Sequence, residues 1–151
     1  MMGAVTYQSA EVVDYVTGNF IPWRVDWSTE TELVTRYHVN WTPTTIFLDM
    51  KANEHFRSYG FLPPEKFLEA MVYARAKTAF ETSRYGDACE LYSKMVNDFP
   101  DCEDAPKALY FRAVAHYKQT EDDLHLQHGA LELMAKFPQS QWTMRSRPWL
   151  G

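Results

Sequence analysis

The chain has 151 residues, of which 46% are hydrophobic and 15% aromatic, and its formal net charge is −5. That length accommodates one domain or two small ones with a real core, and the apolar and aromatic content excludes a disordered chain. The acidic balance, relieved only by the short Arg145-Ser146-Arg147 cluster, argues against a nucleic-acid ligand held through its phosphates. No apolar run approaches the ~18–20 residues of a membrane span, and no charged-then-apolar signal opens the chain. The expectation is a soluble, cytoplasmic protein that does not bind membranes. Two isolated cysteines, Cys89 and Cys102, suit a reducing compartment and provide no disulfide framework.

Taken in order, residues 2–17 place Val5, Val12, Val13 and Val16 near one helical face. The spacing predicts a helix there, ended at Gly18-Asn19 by a glycine cap. Phe20 to Asp26 reads as a strand. Thr29-Glu30-Thr31-Glu32 predicts a short helix capped by Thr29, with Glu32 reaching back and Leu33, Val34 and Tyr37 on the buried face. Thr44 to Asp49 is a second strand, Lys51-Ala52-Asn53 a hairpin turn, and Glu54 to Tyr59 the returning strand, with Phe56 and Ser58 on one face. Pro63-Pro64 then opens a helix where a missing N–H costs nothing.

From there every segment reads as helical, with helices expected at about 65–82, 85–99, 103–119 and 121–137. The first of these is expected to run from one half of the chain into the other. A spaced echo appears: Leu91-Tyr92, Met95-Val96 and Phe99-Pro100 return as Gly129-Ala130, Leu133-Met134 and Phe137-Pro138, offset by 38 residues. Arg84-Tyr85-Gly86-Asp87-Ala88 and the small residues Ala108, Ala113 and Ala115 suit helices that approach closely. These units resemble tetratricopeptide-type hairpins, at a longer period than the usual ~34.

Thr42-Pro43 opening a β-branched run is chemically unusual, because proline has no N–H for a ladder and tolerates a cis bond. Together with Asn19 to Asp26, Thr44 to Asp49 and Tyr59-Gly60-Phe61-Leu62-Pro63-Pro64, it resembles the thioredoxin fold and its cis-proline loop. The CxxC motif of that family is absent. The family's helix pattern after CxxC lies over Met2, Thr6-Tyr7 and Glu11-Val12, which implies a motif position just before Met1 and a missing first strand. The fold expected is α/β plus all-α: a truncated thioredoxin-like sheet of about three strands over residues 1–72, then tetratricopeptide-like hairpins and a tail over 73–151. Closure of the sheet in the order 20–26, 44–49, 54–60 is expected, with direct pairing of the first two.

The resemblance implies a peptide-contact loop at Trp41, Thr42 and Pro43, with an aromatic contact from Trp41. Against it stands the plainer reading that the loop persists because the fold needs it. Cys89, beside Ala88 and near Leu91, reads as a buried core residue; Cys102, after Pro100-Asp101, reads as an exposed loop residue. Neither is placed to be catalytic. His38, His55, His116, His125 and His128 form no evident ligand cluster, although His125 and His128 share a helix face. Glu121-Asp122-Asp123 reads as the solvated start of the last helix, and the Asn40-Trp41-Thr42 sequon as chance. No metal, cofactor or catalytic residue is assigned. The reading favoured is a non-catalytic protein-interaction module with a protein or peptide partner, with homo-oligomers through exposed sheet edges as a further expectation. The alternative is an N-terminally truncated thiol-disulfide oxidoreductase whose CxxC, or selenocysteine, motif lies upstream of Met1.

Overall fold

The β-hairpin forms where the alternation predicts it. A computed structural model, describing residues 2–151, places strand β1 at Thr44–Leu48 and strand β2 at Glu54–Tyr59, paired antiparallel as a two-stranded sheet. Thr45 lies opposite Ser58 and Phe47 opposite Phe56, so Phe47 and Phe56 share a face, their rings 5.8 Å apart. The turn is held by Asp49, whose Oδ1 accepts from Lys51 N–H at 2.8 Å and Asn53 N–H at 2.9 Å. Those bonds, with Asn53 Nδ2 and His55 on Oδ2, hold the Asp49 carboxyl well below the usual carboxylate range, the Asn53 side chain contributing most. Ala52 takes a positive φ of 62° to complete the reversal.

The chain divides into two compact units, one ending at Ala70 and the other beginning at Met71. In the first unit the expected helix over 2–17 is divided. A short 3-10 turn at Thr6–Gln8 precedes helix α1, Ala10–Asn19. Thr6 causes the break: it is fully buried and its hydroxyl donates to Leu62 O, which anchors the turn and ends the helical register. Gly18 stays helical and does not cap α1; extended Phe20 does so, its N–H donating to Val16 O at 2.8 Å. Tyr7 meets Phe67 edge-on at 5.7 Å, and Val12 of α1 is buried.

The expected strand over 20–26 does not form, and neither does direct closure onto 44–49. The segment forms no regular element up to the turn at Trp27, and it pairs with neither strand. Pro22 removes an N–H from its centre, which weakens any ladder there. Helix α2 spans Thr31–Arg36, one residue later than a Thr29 cap predicts, with Glu30 at its N-cap and no side-chain cap bond. Asp26 takes the turn instead: its Oδ1 accepts from Ser28 N–H at 2.8 Å and Ser28 Oγ at 2.6 Å. A carboxylate accepts two such bonds at once, and the Asp26 pKa is lowered chiefly by the Ser28 hydroxyl. Leu33, Val34 and Tyr37 are half-buried.

Helix α3, Pro64–Glu81, starts at its proline as expected. Helices α4 (Tyr85–Asp98), α5 (Ala105–Thr120) and α6 (Leu124–Lys136) follow, and α5 packs against both its neighbours. Buried alanines at 88, 105, 108, 113, 115 and 130 let these helices approach closely, while Tyr73, Tyr92 and Phe111 form an aromatic series between them. Phe99 and Phe137 cap α4 and α6 with nearly equal dihedrals (φ −130°, ψ 57° and φ −134°, ψ 55°). Each then accepts from the residue three positions on, Cys102 at 3.1 Å and Ser140 at 3.0 Å. The two helix ends, 38 residues apart, are thus alike. The tail forms helix α7, Gln141–Ser146, capped by the Ser140 hydroxyl, and Trp142 and Trp149 lie on Tyr110 at 5.1 and 4.5 Å. No helix among the described residues is long and apolar enough to cross a membrane.

Candidate functional site

The loop that links α2 to β1 carries the three residues singled out by sequence. The Thr42–Pro43 peptide bond is cis. Two hydrogen bonds fix the loop to the hairpin: Gly60 N–H donates to Pro43 O at 2.8 Å, and Thr44 Oγ1 donates to Trp41 O at 2.6 Å. Gly60 reaches its place with φ +77°, a conformation that suits a residue without Cβ. Behind the loop, the Arg57 guanidinium donates to Tyr37 O at 2.8 Å and pairs with Glu54. That carboxylate holds the Arg57 pKa above its already high usual value.

With the backbone held, the side chains are left to solvent. Trp41 is 68% exposed, and Thr42 and Pro43 are exposed beside it. Trp27, from the turn before α2, joins Asn40, Trp41 and Thr42 around a shallow recess of about 250 Å³. Ile21 and Trp23, in the segment before Trp27, are also exposed, at 85% and 67%. Sequence reasoning found Trp41, Thr42 and Pro43 and missed Trp27, Trp23 and Ile21. Pro22 was the available signal, since a proline between Ile21 and Trp23 argues against a buried strand.

The thiols belong to the other unit. Cys89 is buried on α4, its Sγ 3.8 Å from Arg112 O, and burial pushes the thiol up to about 11. Cys102 is buried as well, which corrects the expectation of an exposed loop residue; the turn that follows the Phe99 cap folds it inward. His116 of α5 stacks on His125 of α6 with ring centroids 4.9 Å apart, in a recess of about 210 Å³ that Arg112, His128 and Glu132 also line. That pairing across two helices was invisible in the spacing of 125 and 128. Among the described residues no group of three or more His, Cys, Asp or Glu is arranged to hold a metal ion.

A family model described as a thioredoxin-like domain matches residues 2–75. No curated protein and no solved structure matches the chain. Residues 2–75 are therefore a thioredoxin-like domain with a two-stranded sheet, followed by a helical region.

Proposed function

We propose that this protein is a non-catalytic protein-interaction module. Its thioredoxin-like half offers the Trp41-Thr42-Pro43 loop to a protein or peptide partner. Its tetratricopeptide-like half contributes stacked hairpins; the matched Phe99 and Phe137 caps support that repeat reading. The observation that carries the proposal is a rigidly anchored loop whose aromatic side chain is unburied. Fixed backbone and exposed tryptophan lower the entropic cost of binding and provide the anchor on which interfaces depend. A thiol mechanism finds no support: no CxxC stands in the sequence, and the Cys89 thiol is protonated at neutral pH.

The test is a titration of apolar octapeptides, followed by tryptophan fluorescence. Trp41→Ala, at an exposed position that folding does not need, is expected to weaken binding at least ~10-fold. Equal affinity in the variant overturns the assignment of the loop. In parallel, the purified protein is expected to leave insulin disulfides unreduced; turnover abolished by Cys89→Ser or Cys102→Ser overturns the non-catalytic reading.

A further inference from the structure

The recess between α5 and α6 is rich in hydrogen-bond donors and poor in free acceptors that carry charge. Its volume of about 210 Å³ is below the ~300–1,000 Å³ of pockets that hold drug-sized molecules, so it suits a single small group. Arg112 and His116 of α5, His125 and His128 of α6 and Ser93 of α4 line it, and Glu132 is the carboxylate in that lining. Both oxygens of Glu132 are already engaged: Oε2 accepts from Arg112 Nη2, and Oε1 accepts from Lys136 at 2.7 Å. Nε and Nη1 of Arg112, the three imidazoles and the Ser93 hydroxyl have no hydrogen-bond partner among the described residues.

Charge points the same way. Arg112 and Lys136 against Glu132 leave one positive charge at the recess before any histidine is protonated. Burial, and then the charges of His125 and Arg112, hold the His116 pKa below its usual value. His116 and His125 stack with centroids 4.9 Å apart, so a proton on one ring opposes a proton on the other. An anion seated beside them reverses that opposition, because an opposite charge within ~4–6 Å favours the protonated ring.

Three kinds of ligand compete for such a recess. A divalent cation is repelled by Arg112 and Lys136, and among the described residues no group of three or more His, Cys, Asp or Glu is arranged to hold one. A carboxylate brings two oxygens and one charge, which leaves donors on one of the three helices unmatched. A phosphoryl group brings three or four oxygens and up to two charges, and the guanidinium fork of arginine matches its geometry. The net charge of −5 opposes a polyanion spread over the surface, and a single phosphoryl group in a basic recess escapes that opposition. We propose that this recess binds one phosphoryl group, free or carried on a peptide, through Arg112, His116, His125, His128 and Ser93. The site lies in the helical unit and does not depend on the Trp41 loop.

Inorganic phosphate is titrated into the full chain at pH 7, with sodium chloride holding the ionic strength constant, and the histidine rings are followed by NMR. His116, His125 and His128 are expected to shift together and to saturate, while His38 and His55, in the other unit, stay still. Saturating phosphate is expected to move the titration midpoints of His116 and His125 upward by at least half a pH unit. Arg112→Lys, which keeps the charge and loses the fork, is expected to bind at least tenfold more weakly. His125→Gln leaves the Arg112–Glu132 pair in place and is expected to weaken binding as well, so the test survives a poorly folded Arg112 variant. A glycine pentapeptide with a central phosphoserine separates the two sources. Tighter binding of that peptide than of inorganic phosphate supports the proposal with a partner's phosphoryl group, and no gain supports it with free phosphate. Equal shifts at all five histidines, or shifts that never saturate, overturn the proposal. Acetate binding as tightly as phosphate overturns it too, as does a response of His116 and His125 to zinc chloride with none to phosphate.

Discussion

Gly129 of α6 rests directly on Ala113 of α5: a Cβ added at Gly129 would lie 2.3 Å from the Ala113 Cβ. Both residues are in helices, so neither can yield by changing rotamer, and the helices themselves would have to separate. That closeness is what lets the rings of His116 and His125 stack across the same pair of helices.

Gly129→Ala is accordingly expected to destabilise the helical unit. A mid-helix glycine costs up to ~1 kcal/mol relative to alanine, so propensity favours the substitution. Overpacking against a neighbour that cannot move costs about 1–3 kcal/mol, and at 2.3 Å this effect wins. Gly18→Ala is the control, since Gly18 is helical and nothing lies within 4 Å of its would-be Cβ. Thermal denaturation should show a lower Tm for Gly129→Ala and an equal or higher one for Gly18→Ala. A stabilised Gly129→Ala would contradict the packing.

Thr44 to Asp49, the turn after it and Glu54 to Tyr59 were legible because alternation and turn chemistry are local. The helices from Pro64 onward were legible for the same reason, within a few residues at their ends. Segment 20–26 misled because its apolar content outweighed Pro22 in the reading, and the absence of a pairing partner is a tertiary fact. Thr29 lost the cap of α2 to the turn built by Asp26, whose carboxylate accepts from both the N–H and the hydroxyl of Ser28. Of the candidate site, Trp41, Thr42 and Pro43 stood out by their chemistry, whereas Trp27 reaches them only through a fold that spacing does not encode. The His116–His125 stack likewise joins two helices whose relative rotation depends on Gly129 and Ala113.

Thr143 connects the tail to the Phe137 cap of α6. It is buried, and its hydroxyl lies 2.6 Å from Phe137 O and 3.3 Å from Leu133 O. Thr143→Val keeps the shape and removes the donor, leaving carbonyls less well satisfied in a dry environment. The expected cost is ~1–2 kcal/mol, a fall of several degrees in Tm. An unchanged Tm would mean that water replaces the hydroxyl.

The Cys89 thiol should resist reagents that need a thiolate. Burial pushes its pKa up to about 11, against about 8.5 for a free cysteine. In a Cys102→Ala background, which isolates Cys89, reaction with an aromatic disulfide at pH 8 should be at least ~100-fold slower folded than in urea. Comparable rates in the two conditions would show that the α4 surface opens readily around this residue.

The last prediction concerns acid. Burial lowers the pKa of His116, and the neighbouring charges of His125 and Arg112 lower it further. Arg112 and His116 face the recess from α5, His125, His128 and Glu132 from α6, and Ser93, which does not titrate, from α4. Glu132 pairs with Arg112 and, at 2.7 Å, with Lys136; although burial pushes its carboxyl upward, those partners leave its pKa lowered. It therefore stays ionised while His116 titrates. A histidine whose folded pKa lies below its unfolded value binds more protons when unfolded, so stability is complete above about pH 6.5 and is lost as pH falls below it. Tm should therefore drop between pH 7.5 and pH 5.5, and the drop should be smaller in His116→Gln, which cannot take up the proton. His128→Gln, at an exposed ring outside the stack, should keep the full drop. An identical pH dependence in His116→Gln and the parent chain would remove His116 as the cause.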